Sequence, residues 1–346
     1  MTSCKNNPAI WFPAIRTGTG TDRFTERLVQ ALQKRNIEAD VTWLPHRAEY
    51  APWTVTVPKP PKWASIVHIN SWLHTRFVPN NLPLVVTLHS CVHDDALSPY
   101  KTTLQRLYHR YWVKTLEKRA LKRADATTAV SRYTAKQAQK QFDCSKITPI
   151  YNWVDTTTFR PGEQNRTHRP FRLIYVGSLR RSKGSDILAT VMRRLGPDFE
   201  LRYTGNPDDF PEPSALPDNM IPLGRLHGDA ALVAAYQDCD ALFFPTRLEG
   251  FGLVVTEAMA CGLPVISSNN TALPEIIPDQ DHGVLCPTDD IDCFVSSARR
   301  LAKMDGREWT RIRHKAIKRV NEAFSEDSAI IKYIEIYQNA IKSNRS

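Results

Sequence analysis

The chain has 346 residues, 42% of them hydrophobic and 24% charged, with a formal net charge of +10. That length suits two domains better than one core, and no apolar run approaches the roughly 20 residues that span a bilayer. Seven cysteines, scattered without a CxxC pair, speak against a disulfide framework or a zinc site and for free thiols in a reducing cytoplasm.

The first apolar run, AIWFPAI, is short, broken by Pro13 and closed by Arg16, so 9–12 reads as a strand and not as a signal peptide. A loop carrying Gly18 and Gly20 follows, then the amphipathic helix DRFTERLVQALQKRN, with Phe24, Leu28 and Leu32 on one face. The loop fails as a dinucleotide fingerprint, because GxGxxG would need glycine where Arg23 stands. Buried strands are expected at 64–69, 82–89, 126–130 and 147–151. His89 ends the second of these, the end at which parallel sheets meet ligands, whereas His68 reads as structural. Ser131 is placed to cap the helix after it.

The segment 101–123 predicts a long helix with eight Lys and Arg against one acid, Glu117. Arg106, Arg110, Lys114, Lys118 and Lys122 recur every four residues, with Leu104, Leu107, Tyr111 and Leu121 expected on the opposite, apolar side. Such a stripe suits anionic lipid headgroups or an acceptor bearing a lipid diphosphate. Residues 1–160 hold 23 Lys and Arg against 11 Asp and Glu, and the remainder 23 against 25. The basic excess therefore belongs to the first half, which should meet an anionic partner.

Residues 156–170 have the composition of a linker. Strands then resume at 171–179, 199–205, 240–245 and 264–268, with a helix after the first. Strand–helix alternation on both sides of a linker predicts an α/β protein of two Rossmann-like, doubly wound domains facing a cleft.

The stretch PTRLEGFGLVVTEAMACGLPVISS sets Glu249 and Glu257 around a bare glycine turn. FGLVVTEAMACG is short and partly β-branched, which admits a strand. Gly262 before Pro264, and the shared face of Phe251, Val255, Ala258 and Met259, favour a helix. As a helix it offers the open amides of Phe251, Gly252 and Leu253 to an anion. Glu257, more than a turn deeper, and Glu249, before the turn, are then placed to accept from neutral hydroxyls. A ligand with an anionic middle and hydroxylated ends is a nucleotide sugar.

Here the sequence resembles the retaining glycosyltransferases of family four, the group 1 enzymes with the GT-B fold. The resemblance lies in EGFGLVVTE, EAMACGLPVI, LPEII (273–277), YVGSLRRSKGSDIL (175–188), TAVS (128–131) and IYNWVDTTTFRP (150–161). It implies an acceptor-side domain over 1–160, a nucleotide-sugar-binding domain over 161–324, and a C-terminal helix over 325–346 packing back onto the first. It also implies that Glu257 holds the donor ribose, Glu249 lies by the donor hexose, and Phe251, Gly252 and Leu253 meet the diphosphate or sugar. Lys183 would pair with the diphosphate and His89 would face the sugar. Gly18 and Gly20 would close over the phosphates. The family's usual arginine after the glycine of VG is Ser178 here, so Arg180 or Arg181 is expected to replace its charge. The implied function is metal-independent, retaining transfer of a hexose or amino sugar from a nucleotide-diphosphate sugar to a glycan or lipid-linked hydroxyl. No cofactor and no nucleic-acid partner are expected; the place of work is the cytoplasm, with an anionic membrane surface as a further partner. The alternatives are a basic nucleic-acid-binding protein and a non-catalytic or phosphorolytic GT-B relative.

Overall fold

The structure, a computed structural model, describes residues 7–90, 92–144, 146–162 and 168–345; residues 163–167 of the expected linker lie outside it. Two compact units emerge, one formed by residues 1–152 with 326–346 and the other by 153–325. The boundary falls before the one expected at 160. Trp153, Val154 and Phe159 are buried apolar side chains, and the Val154 N–H donates to the Phe324 carbonyl at 3.3 Å, so the chain joins the second unit there.

In the first unit strands β1 (Ile10–Ile15), β2 (Ala39–Leu44), β3 (Ile66–Asn70), β4 (Leu84–Leu88), β5 (Ala126–Ala129) and β6 (Thr148–Pro149) form one sheet in the order β2-β1-β3-β4-β5-β6. Every pairing is parallel, with Ile10 opposite Ala39 and Val85 opposite Ala126. Helices lie between the strands, and the inner strands β1, β3 and β4 are buried along nearly their whole length. Helix α1 (Gly20–Gln33) buries Phe24, Leu28 and Leu32. Helix α4 (Arg132–Phe142) is capped by Ser131, whose side chain accepts from the Thr134 amide at 3.0 Å.

The expected helix over 101–123 is α2 (Thr103–Leu107), a π-helical turn over 108–113 and α3 (Lys114–Arg123). Val113, Leu116, Ala120 and Leu121 face inward. Leu104, Leu107 and Tyr111, expected on the same side as Leu121, are exposed instead. The run therefore carries apolar side chains on two faces, of which only one is buried.

The last helix, α11 (Glu326–Arg345), belongs to the first unit. Ile330, Tyr333 and Tyr337 are wholly buried. The Tyr337 hydroxyl meets His68 Nδ1 at 2.7 Å, Thr87 Oγ1 meets His68 Nε2 at 2.6 Å, and Arg35 pairs with Glu326 at 2.9 Å and with Asp327. His68 is thus a satisfied core histidine. Burial, with a smaller push from His89, holds it down to about 3, and burial alone does the same for His89. The unfolded chain protonates both below about 6.5, so between these values it binds more protons than the folded one. Stability is therefore full above about 6.5 and declines as the pH falls toward 3. Urea midpoints should drop between about pH 7 and about pH 5, and His68→Gln should shallow that drop; an unaltered slope would contradict a neutral His68.

The second unit repeats the plan. Strands β7 (Phe171–Tyr175), β8 (Phe199–Tyr203), β9 (Met220–Pro222), β10 (Ala241–Phe244), β11 (Val265–Ser268) and β12 (Val284–Cys286) lie in the order β12-β11-β10-β7-β8-β9, again all parallel. Between them run α5 (Ser185–Leu195), α6 (Gly228–Gln237), α7 (Leu253–Ala260) and α8 (Leu273–Ile276), followed by α9 (Ile291–Ala302) and α10 (Gly306–Ala323). FGLVVTEAMACG is therefore helical from Leu253. The five described cysteines are free thiols. Among the described residues no helix is long and apolar enough to cross a membrane.

Candidate functional site

The chain runs from β7 outward through β8 to β9, and from β10 the other way through β11 to β12. Neighbouring strands β7 and β10 thus send their connections in opposite directions, which opens a crevice past their carboxyl ends. Lys183 lies in the loop after β7 and Glu249 in the loop after β10. Their side chains meet: Lys183 Nζ is 2.5 Å from Glu249 Oε1 and 3.4 Å from the Leu248 carbonyl. An ammonium has three donors, so one direction is left for an incoming oxygen. Glu249 is held further by the Thr246 hydroxyl at 3.1 Å, and its amide donates to Thr271 Oγ1 at 3.1 Å.

Gly184 explains why Lys183 can reach. Its φ is +71°, and a Cβ there would sit 2.0 Å from the Pro245 carbonyl oxygen. Only glycine lets the loop after β7 touch the backbone leaving β10.

Arg247, in the same loop as Glu249, is 5% exposed. Its guanidinium binds Asp186 at 2.6 Å and Asp289 at 2.6 Å, and donates to the Arg181 carbonyl. Burial opposes its charge, but the hydrogen bonds and charges of Asp186 and Asp289 outweigh that and hold it above the ordinary arginine value. Tyr175 donates to the Ser178 carbonyl at 2.9 Å; burial, then the charges of Glu249 and Asp186, push its phenol above its usual range. Neither residue stood out in the sequence. Arg247 is next but one to Glu249, yet its acidic partners lie 61 and 42 positions away, and no local spacing marks them.

Gly252 caps α7 with φ +110°. The amides of Gly252 and Leu253 take no hydrogen bond among the described residues, as expected for a helix's first turn. Phe251 is buried with its ring edge-on to Phe324 at 5.3 Å. Glu257, one turn into α7, is 2% exposed; with burial as the larger cause, its charge raises the Cys261 thiol to about 12. Arg181 pairs with Asp186 at 3.6 Å, whereas Arg180 is exposed and in no ion pair among the described residues. The second unit therefore brings Lys183 to Glu249, three residues before the α7 terminus, ties Arg181 to Arg247 through Asp186, and leaves Arg180 exposed to solvent. A hollow of about 960 Å³ between α9 and α10, lined by Asp292, Arg299 and Lys303, shares no residue with this group. No three His, Cys, Asp or Glu side chains among the described residues come together as a metal site.

The remaining expected residues lie in the first unit, past the carboxyl ends of β1 and β4. In the glycine loop the Asp22 carboxylate accepts from the amides of Thr17 at 2.9 Å and Gly18 at 2.7 Å. Those two amides are occupied, whereas the amides of Thr19 and Gly20 donate to no acceptor among the described residues. His89 packs edge-on against Phe24 of α1 at 4.6 Å. Its Nε2 is 2.7 Å from Asn70 Oδ1, an acceptor, so Nε2 carries the proton and Nδ1 is left to accept from a hydroxyl. Asn152 Oδ1, past the end of β6, is buried with no hydrogen-bond partner among the described residues.

Residues 157–321 match the family model described as glycosyl transferases group 1, and residues 62–158 the one described as glycosyltransferase family 4. The chain is 28% identical over 223 residues to the D-inositol 3-phosphate glycosyltransferase of Mycobacteroides abscessus, covering 59% of this chain and 49% of that protein. It is 22% identical over 294 residues to the N-acetyl-alpha-D-glucosaminyl L-malate synthase of Bacillus anthracis, covering 80% and 73%. The match thus spans about half the length of the first relative. In structure it is similar to the sucrose-phosphate synthase of Thermosynechococcus elongatus (TM-score 0.77, 17% identity, 97% of this chain and 100% of that one). It is also similar to HepE of Anabaena, solved with UDP and glucose (TM-score 0.70, 17% identity, 95% and 99%). At such identities these two likenesses establish the fold.

Proposed function

Because the chain belongs to the group 1, family 4 glycosyltransferases, we propose that it moves a hexose or amino sugar from a nucleotide-diphosphate sugar to a hydroxyl of a glycan or lipid-linked acceptor, with retention at the anomeric carbon. The observation that carries this reading is the Lys183–Glu249 pair where β7 and β10 part, beside the first turn of α7. A diphosphate at the amides of Gly252 and Leu253 gains from the helix terminus and from the third donor of Lys183. Arg180, exposed and in no ion pair among the described residues, supplies the charge that Ser178 lacks. Arg181 is less suited, since Asp186 already engages it.

Transfer without a resident metal is part of the proposal: charge leaving with the diphosphate is met by Lys183, Arg180 and the helix amides. Glu249 orients the hexose and stabilises positive charge developing at its anomeric carbon. The acceptor's proton passes to a donor phosphate oxygen on the same face. Glu257 accepts from the ribose hydroxyls, and neutral His89 accepts from a sugar hydroxyl. The chain works in the cytoplasm, peripheral to the inner membrane face.

A thermal-shift panel of UDP-, GDP- and ADP-sugars tests the reading. One class should raise the melting temperature by several degrees, since ligand at a hundredfold excess over Kd adds about 2.7 kcal/mol. No shift with any of them would overturn it.

A further inference from the structure

The outward face of the run 103–123 shares no residue with the site described above. Leu104 is 79% exposed, Tyr111 65% and Leu107 49%. Beside them stand Trp53, 67% exposed, and Tyr50, 51%. Trp112 ties the two segments together: its indole N–H donates to the Glu49 carbonyl at 2.9 Å, and its ring meets that of Trp53 edge-on at 6.4 Å. The exposed cations are Arg106, Arg110, Lys118, Arg119 and Lys122, with the Arg110 guanidinium 5.6 Å from the Tyr111 ring centre.

Glu117, the run's one acid, is turned inward. It is 1% exposed and accepts from Ser71 Oγ at 2.8 Å and Trp72 Nε1 at 3.1 Å, with His93 Nε2 2.8 Å away. The outward face from Thr103 to Arg123 therefore shows water large apolar groups and positive charge and carries no carboxylate of its own; beside it Glu49 accepts from the Tyr108 hydroxyl at 3.3 Å. Solvated helix faces mix signs and expose apolar side chains singly; this clustering belongs to the headgroup–acyl boundary of a bilayer.

We propose that Leu104, Leu107 and Tyr111, with Trp53 and Tyr50 beside them, insert into an anionic lipid surface while the cations lie against lipid phosphates. Apolar insertion, beyond charge attraction, separates this surface from a nucleic-acid site, since an exposed leucine gains nothing from a phosphate backbone. The inference rests on the chain being peripheral to a membrane but not on sugar transfer.

Flotation of the full chain with phosphatidylcholine vesicles, with and without phosphatidylglycerol, decides it. The wild type should float only with the anionic vesicles. Leu104→Ser with Tyr111→Ser should lower the partition coefficient at least about tenfold, and Arg106→Gln, Arg110→Gln and Lys118→Gln together should abolish it. Failure of the wild type to float, or wild-type flotation by the serine pair, would overturn insertion. So would a self-associated species dissolved by the serine pair, or nucleic acid that displaces the vesicles and still binds that pair. An unchanged thermal shift with nucleotide sugar shows each variant folded, and loss of flotation with that shift intact leaves the transferase reading standing.

Discussion

Glutamine in place of Glu249 is expected to lower kcat about 100-fold, about 2.7 kcal/mol of barrier, the scale for losing one electrostatic stabiliser. The substitution keeps the size of the side chain and an acceptor for Lys183 Nζ and the Thr246 hydroxyl, which now meet Oε1 at 2.5 and 3.1 Å. Only the charge goes. Lys183 loses the partner that competes with a phosphate for it, so donor KM should not rise. A fall in kcat without a rise in KM marks an interaction made in the transition state rather than in binding. Initial rates on the identified donor and acceptor read both constants. Near-native kcat would remove Glu249 from the reaction.

Gly184→Ala should cost more stability than any exposed change in the second unit. The left-handed backbone alone costs about 1–3 kcal/mol for a residue with a side chain, and here the new methyl would also collide with the Pro245 carbonyl. A loss of about 3 kcal/mol or more lowers the melting temperature of a domain this size by about 10 °C. The loop after β7 can escape only by withdrawing from β10, which carries Lys183 away from Glu249. Calorimetry and kcat should therefore fail together. A melting temperature within about 2 °C of wild type would show that the contact yields freely and does not hold Lys183 in place.

Both sheets were legible in the sequence because parallel strands covered on two faces are apolar runs, as in LPLVVTLH and DALFFP. Strands β2, β9 and β12 leave no such signal; all three are sheet edges, and MIP and VLC are too short to show a period. Helical spacing found apolar positions in 101–123 but not which face was inward. Val113, Leu116 and Ala120 took the core, and nothing in a periodic pattern ranks them above Leu104, Leu107 and Tyr111. At the site, Glu249, Lys183 and the α7 terminus were visible as motif residues. The Lys183–Glu249 contact was not, because it depends on β7 and β10 being neighbours, and Arg247 escaped for the same reason. Asp22, which occupies two amides of the glycine loop, carries no more than a helix signal in the sequence.

On the proposed reading two carboxylates stand beside an anion site. Glu249 is offset by Lys183, and Glu257 is buried a turn behind the amides. On the proposed reading, the first turn of α7 grips the leaving diphosphate. Amide hydrogen exchange across residues 245–262, with and without saturating nucleoside diphosphate, tests this most directly. Exchange at Gly252 and Leu253 should slow on binding. A nucleotide that raises the melting temperature while exchange at these two amides stays unchanged would contradict the account.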